Sequence, residues 1–274
     1  MKNKTKLIIW VIIAVVAILL SGVLVYNIVA AKLHNVQNPV ATFEIENYGT
    51  IKMELYPEYA PNTVSNFVNL IKNGFYTNKT FYGKDINAIY ATRNSDGTEA
   101  EPTMSIVDSE IQYGAADDNE YQIKGEFVAN GFEANTLKHE KGVVSMLREE
   151  YAAYFGLTEQ GYNSASCHFQ IMLETNRNLN GMYTAFGKVV EGLDVVEKIF
   201  NAEAKAEEGE DVETAEGSSS SIIELASPAV ITKASVETYG VDYGVPEVEE
   251  AFDYDAFLQN YFNQYYNTDT ATAE

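Results

Sequence analysis

The chain has 274 residues, with 40 Asp and Glu against 18 Lys and Arg, a formal net charge of −22, and 46% hydrophobic residues. So acidic a surface repels polyphosphate and excludes nucleic acid as a partner. A single Cys excludes an intramolecular disulfide framework and a multi-cysteine metal site.

No acidic residue falls in the first forty positions. Leu7 to Ala31 is uncharged and follows Lys2, Lys4 and Lys6. At about 1.5 Å per residue, a helix of that length exceeds the ~30 Å hydrocarbon core. This predicts a cytoplasmic N-terminus over 1–6 and a transmembrane signal-anchor over 7–31, with the rest of the chain extracytoplasmic. The rival is a cleaved signal peptide ending near Ile28-Val29-Ala30-Ala31, whose apolar region would ordinarily run to ~7–15 residues. Residues 32–40 read as a linker to a domain over 41–240.

Phe43 to Pro57 alternates with period two around Asn47-Tyr48-Gly49, the pattern of a half-buried hairpin. Next, Val64, Phe67, Val68 and Ile71 share one face of a helix predicted from Pro61 to Asn73, and Gly74-Phe75-Tyr76 closes it. Ser166 to Leu173 reads as a strand. From Leu179, glycine turns flank a second strand through Phe186-Gly187-Lys188-Val189, and a helix begins near Gly192. Residues 201–221 are too acidic and polar to bury themselves and read as a flexible loop. Ala229 to Thr238 returns to alternation as the last strand. The tail, 241–274, sets Phe252, Phe257, Tyr261, Phe262 and Tyr265 among acids. Two readings stand for it: a helix docking on the domain or a partner, and a partly ordered tail.

Ala60 to Tyr76 and Leu179 to Ile199 resemble, in order and spacing, the cyclophilin motifs A-P-x-T-V-x-N-F-x-x-L-x-x-x-G-F-Y and L-D-G-x-x-x-x-F-G-K-V-x-x-G-x-x-V-x-x-I. The likeness covers roughly Ala41 to Phe200. It implies a mainly β fold: a closed antiparallel eight-stranded barrel capped by two helices, with Phe43, Ile45, Phe67, Phe169 and Phe186 buried. It also implies peptidyl-prolyl cis-trans isomerase (rotamase) activity on proline-containing or extended polypeptides, without cofactor or metal.

In that family an Arg in F-H-R donates to the proline nitrogen of the twisted bond. Phe81-Tyr82-Gly83 stands there in this chain, so Gly83 replaces the Arg. Ile86 to Thr92 stands where P-G-F-M-x-Q-G is expected, so Ala88 takes an aromatic place and Ala91 the Gln place. Gln170 replaces a pocket Phe, Tyr183 a His and Asn178 a Trp, while Leu147 occupies the usual small Ala. By register the groove comprises Tyr82, Ile89, Ala91, Met146, Leu147, His168, Gln170, Leu179 and Tyr183. Lys84, Arg93 and Arg148 are substitute cations outside the aligned donor position. Two functions follow: a weak, membrane-anchored isomerase that assists folding of exported chains, and a non-catalytic polypeptide-binding barrel at the cell envelope.

The remaining polar residues carry less. His34, His139 and His168 show no ligand spacing and read as surface or satisfied strand residues. Cys167, inside a predicted strand, reads as a buried apolar residue. Tyr113 to Tyr121, with Asp117, Asp118 and Glu120, reads as an exposed loop and not a calcium site.

Overall fold

A computed structural model describes residues 37–107, 110–113, 119–151, 153–205 and 222–267. The predicted span Leu7–Ala31, the short N-terminus before it, His34, Asp117, Asp118 and residues 206–221 of the acidic loop lie outside these. Among the described residues no helix is long and apolar enough to cross a membrane. The chain divides into a large unit, residues 39–237 with 242–274, and a small one, residues 1–38 with 238–241. In the small unit the Val241 N–H closes a turn on the Thr238 carbonyl (2.9 Å).

The large unit is built on a closed barrel of eight antiparallel strands. In chain order they are β1 (Val40–Ile45), β2 (Gly49–Leu55), β3 (Lys79–Lys84), β4 (Ala88–Asn94), β8 (Val143–Met146), β9 (Phe169–Met172), β10 (Ala185–Glu191) and β11 (Ile223–Glu237). Around the barrel they run β1-β11-β3-β4-β9-β8-β10-β2, and β1–β2 pairing closes the ring. Closure leaves no unpaired edge. Alternation sends Ala41, Phe43 and Ile45 of β1 and Ile51, Met53 and Leu55 of β2 inward. The predicted barrel is therefore found, and Phe43, Ile45, Phe67, Phe169 and Phe186 are buried.

Both predicted helices are present. Helix α1 (Pro61–Lys72) turns Val64, Phe67, Val68, Leu70 and Ile71 onto the core. The Phe67 ring lies 5.0 to 6.0 Å from those of Phe43, Tyr76, Phe169 and Phe186, joining the helix to β1, β9 and β10. Helix α3 (Leu193–Phe200) buries Val195, Val196 and Ile199. Its N-cap, Gly192, has φ 82°, and a Cβ there would stand 2.1 Å from the Thr50 carbonyl oxygen, so only glycine fits.

Outside the barrel, β5 (Thr103–Val107), β6 (Glu110–Tyr113), β7 (Asn119–Gln122) and β12 (Glu249–Glu250) form a second sheet in the order β12-β7-β5-β6. This corrects the loop expected over Tyr113 to Tyr121. Residues 119–122 are a strand, and Tyr121 is buried with its hydroxyl donating to Asn66 Oδ1 (2.6 Å). Of the two readings for the tail, the helix is found, as α4 (Tyr254–Asn267). A short helix, α2 (Thr158–Tyr162), lies between β8 and β9.

A helix that starts on Pro61 has no N–H at its first position, and Ala60 provides no side-chain cap. The next two N–H groups, Asn62 and Thr63, both donate to the Glu126 carboxylate, at 2.9 and 2.8 Å, and the Thr63 hydroxyl adds a third bond at 2.6 Å. A carboxylate from 63 residues away thus satisfies the helix start and meets its positive dipole end. Burial pushes the Glu126 pKa up, against the pull of those donors. Around it, the Glu126 N–H donates to Thr184 Oγ1 (3.0 Å), and Asn135 Nδ2 donates to the Glu126 and Ala185 carbonyls (2.8 and 2.9 Å). Glu126→Ala should destabilise the fold by about 2 kcal/mol, the upper range for removing a cap. Urea unfolding monitored by circular dichroism checks this, and an unchanged midpoint would refute the capping role.

Candidate functional site

The site follows from a break in strand parity. On β4, Ile89 and Ala91 face the barrel core and Ala88 and Tyr90 face outward, with Tyr90 opposite Gln170 of β9. Strict alternation would then send Arg93 inward. Instead, Phe81 pairs with Ala91 and Thr80 with Arg93, leaving Thr92 as an extra residue, a β-bulge. Thr92 has φ 90°, strained for a β-branched side chain, and its hydroxyl is held on the Cys167 carbonyl (3.2 Å). The bulge flips Arg93 to the outer face, where its guanidinium stacks 4.1 Å over the Tyr82 ring.

Arg93 is fixed by two carboxylates. Its Nε and Nη2 donate to Glu99 Oε1 (3.0 and 2.7 Å), and its Nη1 donates to Glu224 Oε1 (2.9 Å). Glu224 is the β11 partner of Gly83, so the guanidinium stands beside the strand position where residue 83 has none. Of five N–H bonds on a guanidinium, these use three and leave one on each terminal nitrogen. The side chain of Arg93 is 20% exposed, that of Arg148 only 8%. Arg148 packs on Tyr183 (4.3 Å), Tyr162 (5.1 Å) and Phe127 (5.8 Å), and its Nε donates to the Met182 carbonyl (3.1 Å).

These groups line an outer-face cavity of about 350 Å³, with Tyr82, Tyr90, Arg93, Leu147, Arg148 and His168 among its walls. Burial pushes the Tyr82 hydroxyl up to about 12 and moves His168 below its ordinary value, so near neutrality the first is a neutral donor and the second an uncharged imidazole. A second cavity of about 260 Å³ shares Glu99, Glu149, Ser164, Ser166 and His168 with the first, and adds Glu101, Glu120, Tyr151 and Phe252. The two make one cleft with two guanidiniums at one end and carboxylates at the other. It can hold an extended polypeptide segment and offer N–H donors to it.

The expected groove residues divide. Tyr82, Leu147 and His168 line the cleft. Ile89, Ala91 and Met146 do not: all three pack inside the barrel, a correction that follows from strand alternation. Gln170 is outward but 3% exposed beside Tyr90. Leu179 packs with Leu137 on an outer cluster of Ala88, Val143, Met172 and Ala185. Tyr183 stacks on Arg148 and donates to Glu150. Asn178 is exposed in a single 3₁₀ turn. At Gly83 a Cβ would stand 2.5 Å from Ile222 Cγ2, so that position is covered. Lys84 is spent elsewhere, its Nζ donating to the Phe200 and Ala202 carbonyls.

His139 is neither exposed nor in a strand. It is fully buried before β8, with Nε2 2.9 Å from Ser145 Oγ, and burial pushes its pKa down to about 4. Cys167 is buried as expected, though just ahead of β9 rather than within it. Sequence reasoning passed over Tyr90, Glu99, Glu149 and Ile222. The available signal was Thr92, which stands where the family motif ends in Gly, the residue that tolerates positive φ.

Comparison with known proteins agrees with this architecture. Residues 40–216 match the family described as cyclophilin type peptidyl-prolyl cis-trans isomerase/CLD. The chain is 30% identical over 165 residues to peptidyl-prolyl cis-trans isomerase B of Bacillus subtilis, covering 60% of this chain and 93% of that protein. It is 29% identical over 161 residues to a probable peptidyl-prolyl cis-trans isomerase of Brucella suis, covering 59% and 71%. A crystal structure of a cyclophilin-type isomerase from Cryptosporidium parvum matches with TM-score 0.50 at 19% identity, covering 73% of this chain and 98% of that one. That likeness concerns the fold alone.

In the acidic half of the cleft a hydrogen bond to Glu120, with burial adding to it, raises the Glu101 carboxyl to about 7. Between its ordinary value and about 7 the folded state therefore holds more protons than the unfolded one. Stability falls as pH rises through that window. Glu101→Gln should flatten this fall, measured as urea midpoints between about pH 5 and about pH 8. An identical slope in the variant would mean that the two carboxyls share no proton.

Proposed function

The chain belongs to the cyclophilin-type peptidyl-prolyl cis-trans isomerase family, and we propose that it isomerises X-Pro bonds in its outer-face cleft with Arg93 as the N–H donor. Rotation about the peptide C–N bond is opposed by an amide-resonance barrier of ~18–20 kcal/mol. At the twisted state the proline nitrogen turns pyramidal and accepts a hydrogen bond. A donor aimed there stabilises the transition state over either ground state. The observation that carries the reading is Arg93, presented by the Thr92 bulge, clamped by Glu99 and Glu224 and stacked on Tyr82 with N–H bonds to spare. Arg148 is more deeply enclosed and flanks the same cleft.

The activity is weak in this reading. Two carboxylates hold part of the Arg93 charge, and the aliphatic walls of its cavity are Leu147 and Ile222 alone, so a proline ring finds little aliphatic surface to enter. That polar lining favours the second reading, a barrel that binds extended polypeptide without useful turnover. The clients proposed are exported chains, with residues 7–31 as a membrane anchor and the barrel outside the cell. Protease added to intact cells tests the topology: digestion of the barrel is expected, and digestion only after permeabilisation would reverse it.

A protease-coupled assay on several X-Pro peptides tests the chemistry. Arg93→Ala should lower kcat/KM by roughly tenfold or more, the worth of one charged hydrogen bond made mainly in the twisted state. Arg93→Lys should recover part of this, because it keeps the charge and loses the planar fork. Gly83→Arg should gain little, since the new side chain must first displace Ile222. No acceleration by the wild-type chain would favour the non-catalytic reading. Full turnover surviving neutralisation of Arg93 and Arg148 together would show that the donor lies elsewhere.

A further inference from the structure

Between β8 and β9 the chain leaves the barrel on an excursion whose two roots line the cleft: Leu147, Arg148 and Glu149 on the way out, Ser164, Ser166 and His168 on the way back. Within it the Glu149 N–H donates to Ser164 Oγ (2.6 Å) and Ser164 Oγ to the Gly161 carbonyl (2.8 Å), and its return limb is tied to residues 125–130: Asn163 Oδ1 accepts from the Gly125 N–H (3.2 Å) and Asn130 Nδ2 (2.8 Å), and Tyr162 meets Phe127 edge-on (5.1 Å). Its outer part is gripped from the C-terminus. Tyr151 stacks on Tyr254 (4.7 Å) and meets Phe252 edge-on (5.5 Å), while Phe155 meets Phe257 (5.4 Å) and Tyr261 (5.1 Å) edge-on. The gripping segment is itself fastened. Its β12 pairs with β7, the Ala251 N–H donates to the Glu120 carbonyl (3.2 Å), and Asp253 Oδ1 caps α4 at the Ala256 N–H (2.8 Å). Phe252, between strand and helix, lines the acidic half of the cleft.

We propose that residues 249–262 are the positioning element of the cleft: anchored on β7, they clamp the outer part of the excursion at Tyr151 and Phe155 through the aromatic face of α4 and so fix the distance between its two walls. Calling the cleft a substrate site rests on the isomerase reading; the clamp itself does not. Phe257 and Tyr261 grip Phe155 and line neither cavity, which separates positioning from direct contact.

The test is the double variant Phe257→Ala, Tyr261→Ala in the full chain, followed by hydrogen exchange and by isomerase kinetics. Amides of residues 153–157, around Phe155, should exchange about tenfold faster or more, while those of β1 and β2 keep their protection. For X-Pro peptides KM should rise roughly fivefold with kcat nearly unchanged, because the walls are misplaced and the donor on β4 is not. Phe257→Tyr, which keeps the ring, should behave as wild type in both measurements. Unchanged protection of 153–157 in the double variant would overturn the clamp, as would an unmoved KM in a variant whose excursion has loosened. A wild-type chain without isomerase turnover would defeat the isomerase reading, and the exchange measurement would still decide the clamp.

Discussion

Everything in this molecule defers to a barrel that is full. Phe67, delivered by α1, sits among Phe43, Tyr76, Phe169 and Phe186, and no side of that cluster is exposed. Fully burying one such ring is worth about 1.5–3 kcal/mol, so the interior is committed to stability. Chemistry is left with the outer face, and which side chains reach it is decided by strand parity. One bulge at Thr92 changes that parity for the end of β4, Arg93 and Asn94, and the surrounding pairing pays for its strain. Stability and function are thus written on opposite faces of the same strands.

The polar counterpart of the aromatic core is Glu126. It ties the start of α1 to the segment before β8 and, through Thr184 and Asn135, to the start of β10. Tyr183, which stacks on Arg148, lies just before β10, next to Thr184 of this network. A buried carboxylate that accepts three bonds at a helix N-terminus costs desolvation and returns rigidity, since each partner must stay in place for the charge to be satisfied.

The barrel could be read from the chain because its signals are local: period two in Phe43 to Leu55, one apolar face in α1, and glycine where α3 meets β2. The site could be read only in part. Tyr82, Leu147 and His168 line the outer-face cavity, whereas Ile89, Ala91 and Met146 face inward, because a motif alignment carries residue identity and not side-chain direction. The bulge escaped notice because Thr92 lacks the glycine that usually marks positive φ. The tail's aromatic residues left two readings open, since their partners Tyr151 and Phe155 lie about a hundred positions earlier and only tertiary contact selects the helix. The β7 strand was hidden for the same reason: its Tyr121 is buried against α1, far away in sequence.

Cys167, the one thiol of the chain, is wholly enclosed, its Sγ donating to the Ala100 carbonyl (3.0 Å), and burial drives its pKa far above the ordinary thiol value. Its carbonyl receives both the Tyr76 hydroxyl of the core and the Thr92 hydroxyl of the bulge. An alkylating reagent can therefore reach that sulfur only when the packing around it opens. The protein carries its own opening clock: the rate at which it is alkylated in water measures how often the region around Cys167 and Ala100 opens, with no engineered probe.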